Sequence, residues 1–173
     1  MKPTVALDIV IEQVAWKKIP KLNARLEKTA QAVFEHLPSP FHGTWSATLL
    51  LTGDTQMRRL NRDFRGLDKP TNVLSFPQFS PRQLTKKGKK NPPAYLGDIA
   101  ISYQYIVGET KKDHKILINH ITHLLIHGIL HLLGYDHHSS TGAARMERLE
   151  KRIMASLGLP DPYASSNRVA RKK

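Results

Sequence analysis

At 173 residues, with 40% hydrophobic and 24% charged side chains, the chain has the size and composition of one globular domain with a sizeable core. It contains no cysteine, which excludes a disulfide framework and any thiolate metal site and suits a reducing cytoplasm. Lys and Arg number 27 against 14 Asp and Glu, a formal net charge of +13, which fits a polyanionic partner such as RNA, DNA or an acidic membrane surface.

Asp8 and Glu12 interrupt the only apolar stretch near the N-terminus, so it does not read as a secretory signal. No apolar run is long enough to span a bilayer. A soluble, cytoplasmic protein with no membrane partner is expected. The basic residues cluster, in one run at Arg82, Lys86, Lys87, Lys89 and Lys90 and another at Arg168, Arg171, Lys172 and Lys173. Neither run has an apolar face, which favours nucleic acid over a membrane. Solvated flexible tails are the alternative.

In chain order, Val5, Leu7, Ile9 and Ile11 alternate with polar neighbours and predict a half-buried strand. After Pro20, Leu22, Leu26, Ala30, Val33 and Leu37 recur at helical spacing, with Pro38 and Pro40 closing the helix. Trp45, Ala47, Leu49 and Leu51 alternate again as a second strand. Asp54 is placed to cap a short helix with Met57, Leu60 and Phe64 on its inner face. Arg65 follows that helix, and the loop from Gly66 to Thr71 leads to a strand over Asn72 to Phe76. Residues 78–95 are poor in apolar side chains and rich in Lys and Pro, and read as a mobile basic loop. Leu96 to Tyr103 predicts a fourth strand, and a helix covers Gln104 to Lys111.

The next helix, from about His114, is apolar around most of its circumference and reads as the buried centre of the fold. Within it His127 and His131 are four residues apart and share one face. His123 lies about 12 Å of helix rise from His131, too far to join one coordination sphere. Gly134 supplies a bend, after which His137 can fold back. The spacing His-x-x-x-His-x-x-Gly-x-x-His is the ligand pattern of the long zinc-peptidase motif. The glutamate that serves peptidases as general base is replaced by Gly128, so the pattern keeps the metal and loses the proton acceptor. His138 is an alternative third ligand. His120 and His123 read as supporting or packing residues, and Asp136 as either orienting a ligand or capping the next helix. That last helix starts after Ser139-Ser140-Thr141, with Met146, Leu149, Ile153 and Leu157 inside, and stops at Gly158 and Pro160.

HGILHLLGYDH resembles the signature of the YbeY family of bacterial metal-dependent endoribonucleases. LNRDFRGLDKPTNVLSFP (Leu60 to Pro77), LGDI (Leu96 to Ile99) and LGLPDPY (Leu157 to Tyr163) resemble further blocks of that family, in its order. Strand and helix pattern alone support α/β or α+β. The resemblance implies a single zincin-like domain over 1–163, with a small mixed four-stranded sheet, about five helices and a buried metal-binding helix. The tail 164–173 reads as disordered and basic.

The resemblance further implies cleavage of single-stranded RNA in ribosomal RNA precursors, at the ribosome. His127, His131 and His137 would hold one divalent ion, Zn²⁺, and Arg65 would act beside it. A guanidinium there can grip a phosphate in bidentate fashion; a surface pairing with Asp68 is the plain alternative. Asp98, in the LGDI block, reads as supporting the site or as bridging strand and loop. A ribosome-assembly factor with a structural metal, or a zinc peptidase, would share the histidines.

Overall fold

The computed structural model describes residues 3–37, 41, 43–87 and 94–164. Pro38, Pro40, Lys89, Lys90 and the basic tail from 165 onward lie outside the described residues. Among the described residues, four strands, β1 (Thr4–Ile11), β2 (Thr44–Thr52), β3 (Val73–Pro77) and β4 (Ala94–Ser102), are interspersed with six α-helices. These are α1 (Leu22–Glu35), α2 (Asp54–Arg65), α3 (Pro81–Lys87), α4 (Tyr103–Asp113), α5 (Leu117–Leu132) and α6 (Ser140–Ser156).

The strands form one sheet in the order β1-β2-β4-β3. β1 and β4 run parallel to β2, and β3 runs antiparallel to β4 at the edge. The alternation in β2 puts Trp45, Ala47, Leu49 and Leu51 on the buried face. With Ile99 and Ile101 of β4 they meet α1 and α5 in the main core. A smaller cluster of Met57, Leu74 and Ala100 seats α2. Trp16, from a short 3-10 turn that the alternation does not reveal, is fully buried and donates its indole N–H to the Thr52 carbonyl at 2.9 Å.

Three local expectations change. Gly53 occupies the cap position of α2, and Asp54 opens the helix. The Asp54 carboxylate instead accepts from the Ser102 hydroxyl at 2.5 Å and the Tyr105 backbone N–H at 3.1 Å, so it caps α4. Side-chain caps satisfy orphan N–H groups, and the neighbouring helix start supplies them here. Phe64 is 66% exposed although its ring meets Phe76 edge to face. The inner face of α2 turns to Asn61, whose amide donates to the Lys69 carbonyl at 2.7 Å. Lastly, part of the 78–95 stretch is helical. The backbone N–H and hydroxyl of Ser80 donate to Gln83 Oε1, and Leu84 of α3 is buried in the main core. One well-placed leucine anchors a segment whose composition is otherwise polar.

None of the described helices is long and apolar enough to cross a membrane.

A candidate metal centre at the end of the buried helix

α5 is buried along most of its length, with Ile121, Leu125, Ile126 and Leu130 fully covered. Packing therefore fixes its rotation, and so the direction of its histidines. His127 and His131 stand one turn apart with ring centroids 4.5 Å from each other and Nε2 atoms 3.0 Å apart. The helix ends in a Schellman turn: the Tyr135 N–H reaches the Leu130 carbonyl and the Gly134 N–H reaches that of His131, both at 3.0 Å. Gly134 takes φ +83, and a Cβ there would come within 2.9 Å of Pro81. Glycine is thus required twice, for the turn and for the approach of α3.

Beyond the turn, Asp136 Oδ1 accepts the His138 N–H at 3.1 Å. This Asx turn swings His137 back over the helix end, its ring stacked on His127 at 5.7 Å and edge to face with His131 at 5.1 Å. Ligand nitrogens of His127, His131 and His137 all lie within 4.8 Å of one another. His138 lies outside this group. Asp136 shapes the loop, while the cap of α6 is Ser139, which accepts from the Gly142 N–H at 3.0 Å.

A residue that the sequence reading passed over lies behind the cluster. Glu150, in the inner stripe of α6, is fully buried. It accepts from His127 Nδ1 at 2.7 Å, from His123 Nε2 at 3.0 Å, and from the Tyr163 hydroxyl. Burial opposes its charge, but the hydrogen bonds from His123 and His127 outweigh burial and hold the carboxyl down to about 2. Its only sequence signal is an acid at the i+4 position from Met146 in an apolar stripe. His120, one turn before His123, bonds to Glu109 at 2.7 Å, and Glu109 also accepts from Asn72. Asp98 is turned away: a register shift in β4 places it on the exposed face, where it accepts from the Tyr95 hydroxyl at 2.5 Å.

The histidines open onto a cleft of about 590 Å³ shared with Arg65, Lys69, Asn72, Ser75 and Tyr105. Asp68, the alternative partner for Arg65, is taken by Arg58 at 2.7 Å. Gly128 faces the sheet: a Cβ there would meet Ile99 at 3.0 Å and Ser75 Oγ at 3.3 Å. The Ser75 hydroxyl already donates to the Gly128 carbonyl at 3.2 Å. A peptidase-type glutamate has no room at this position.

The family profile described as Endoribonuclease YbeY matches residues 11–158. The chain belongs to the YbeY endoribonuclease family. A YbeY endoribonuclease of a Bradyrhizobium species is 39% identical over 96% of this chain and 97% of its own length. That of Nitrobacter hamburgensis is 47% identical over 74% of this chain and 66% of its own. The solution structure of TM1509 from Thermotoga maritima shares the fold at a TM-score of 0.53 and 21% identity, covering 93% of this chain and 95% of that one.

The donor set of this YbeY-family chain fits a divalent cation. His127 donates outward to Glu150, and a hydrogen bond with the Tyr135 backbone takes His131. The inward nitrogens of the two rings are thus left as lone pairs facing each other at 3.0 Å, an arrangement that a cation between them relieves. Burial, followed by the closeness of the His127 and His137 imidazoles, pushes His131 down to about 4, into the neutral form a ligand needs. Among the described residues no fourth His, Asp or Glu joins the group, so a four-coordinate ion held by these three histidines would keep one position for solvent or substrate.

Proposed function

We propose that the chain is a metal-dependent endoribonuclease that cleaves single-stranded RNA, with ribosomal RNA precursors at the cytoplasmic ribosome as its substrate. One Zn²⁺ is held by His127, His131 and His137, and Arg65 is the catalytic arginine. The observation that carries this reading is the meeting of three imidazole nitrogens within 4.8 Å at the wall of an open cleft that Arg65 shares. Zinc suits an all-nitrogen set of three ligands with an open fourth position. Bound there, the ion supplies Lewis acidity, for polarising a phosphate or acidifying a water.

The chain's own groups do the rest. The Arg65 guanidinium, with its obvious acidic partner paired to Arg58, is free to take two phosphate oxygens and to neutralise the charge that develops on them. Lys69 lies on the same wall and adds attraction for the backbone. Gly128 leaves no carboxylate where a peptidase keeps its base, so the attacking group passes its proton to solvent or to a phosphate oxygen, and that group is the substrate's 2′-hydroxyl or a water. The ends of the products tell these apart: a 2′,3′-cyclic phosphate marks attack by the 2′-hydroxyl, and a 5′-phosphate marks attack by water.

The test is cleavage of a defined single-stranded RNA by wild-type protein, His131→Ala and Arg65→Ala, with RNA binding measured in parallel. Both variants are expected to lose cleavage by about 100-fold or more, the scale of removing one transition-state contact, while binding RNA nearly as wild type does. Arg65→Ala is expected to keep its zinc. Cleavage that persists in both variants would overturn the proposal.

A further inference from the structure

We infer that Glu150 is a positioning residue of the metal centre, and that Tyr163 makes the segment after α6 a working part of that centre. The inference rests on the reading of His127 as a ligand. A fully buried carboxylate is costly unless every lone pair finds a donor. Core packing does not call for one in this stripe, because replacing a buried polar network with apolar side chains is often neutral or stabilising. What Glu150 supplies is direction. One oxygen takes the Nδ1–H of His127 at 2.7 Å, which fixes the tautomer and aims the Nε2 lone pair at His131 and His137.

Its other oxygen is held from two sides. His123 Nε2 donates to it at 3.0 Å and the Tyr163 hydroxyl donates to the same atom. Tyr163 is itself fixed. Its ring meets His123 edge to face at 5.3 Å, the Lys151 ammonium sits 5.4 Å over the ring, and its N–H donates to Asp161 Oδ1 at 2.8 Å. The chain reaches this position through a second Schellman turn, in which the Leu159 N–H bonds to the Met154 carbonyl at 3.0 Å. α5, α6 and the segment after α6 therefore converge on one carboxylate, and that carboxylate touches a metal ligand.

The test uses the full-length chain stripped of metal, titrated with zinc against a competing chelator, as wild type, Glu150→Gln, Tyr163→Phe and His131→Ala. An amide offers one acceptor oxygen where the carboxylate offers two, so Glu150→Gln cannot serve both histidines. Its zinc binding is expected to weaken about 10–100-fold. Nitrogen-15 NMR of the metal-free variant is expected to show His127 losing its single Nδ1–H tautomer, a signature that loss of packing alone would not produce. Tyr163→Phe is expected to weaken zinc binding in the same direction with the circular dichroism of the wild type. Wild-type affinity in both variants, with zinc lost from His131→Ala, overturns the positioning role. Should Glu150→Gln fail to fold, wild-type affinity in Tyr163→Phe alone does so. Zinc retained by His131→Ala overturns the ligand reading beneath it.

Discussion

A histidine binds metal only as the neutral ring, so protonation of this cluster couples to folding and, on the proposed ligand set, to metal uptake. His131 ordinarily titrates at 6.5 and is pushed down to about 4, chiefly by burial. Between those values the unfolded chain holds a proton on this residue that the folded chain does not, so folded stability rises with pH across that window and is lost as pH falls through it. Glu150 acts in the same sense lower down. Its carboxyl is held to about 2 against 4.5, so its contribution is complete above 4.5 and lost on the way to 2. For the metal-free protein, the urea midpoint should fall steadily as pH is lowered from 6.5 to 4, and further below that. A midpoint that stays flat between those values would show that the ring is not held neutral by the fold.

Among the elements, α5 and the sheet decide which metal-assisted chemistry is open to the chain. Gly128 packs so closely on Ile99 and Ser75 that even a methyl group would sit 3.0 Å from the isoleucine. Gly128→Glu, the change that would restore the peptidase pattern, is expected to destabilise the fold by about 1–3 kcal/mol from overpacking alone, with more from burying the carboxylate. It should show no turnover of peptides. Chemical denaturation and a casein assay measure the two effects; peptide hydrolysis at wild-type stability would mean that the glycine is not what excludes the base. Asp54 shows a related principle at a helix start. Its carboxylate serves the N-terminus of α4 rather than its own helix, because two helix starts lie side by side and compete for one acceptor.

At the scale of the whole molecule, the net charge of +13 governs the encounter and the cleft governs the chemistry. RNA affinity should fall steeply with salt, with a log–log slope of about −0.7 for each phosphate neutralised on a single strand. The cleavage rate at saturating RNA should depend on salt far less. Filter binding and single-turnover kinetics across a salt series separate the two, and a salt-insensitive affinity would argue against charge-driven capture. Removing the metal should abolish cleavage while leaving the far-ultraviolet circular dichroism unchanged. The core that orients α5 is built from fully covered residues such as Leu49, Ile99, Leu125 and Leu130, whose burial is the reason the fold is expected to survive loss of the ion.

The sequence by itself determined the periodic parts. Alternation in β1 and β2, the apolar girth of α5, the four-residue step from His127 to His131 and the glycine before His137 are local patterns, and each follows from the repeat of a strand or helix. Only the tertiary structure decided the partners. Nothing local reveals that an acid in the stripe of α6 faces His123 and His127, that Tyr163 returns to it, or that Asp98 is turned outward by a shift in register. The same holds for Asp68, which binds Arg58 and leaves Arg65 to the cleft. A hydrogen bond between distant residues is set by how whole elements pack, and packing angles and strand registers are written across the chain rather than at any one position.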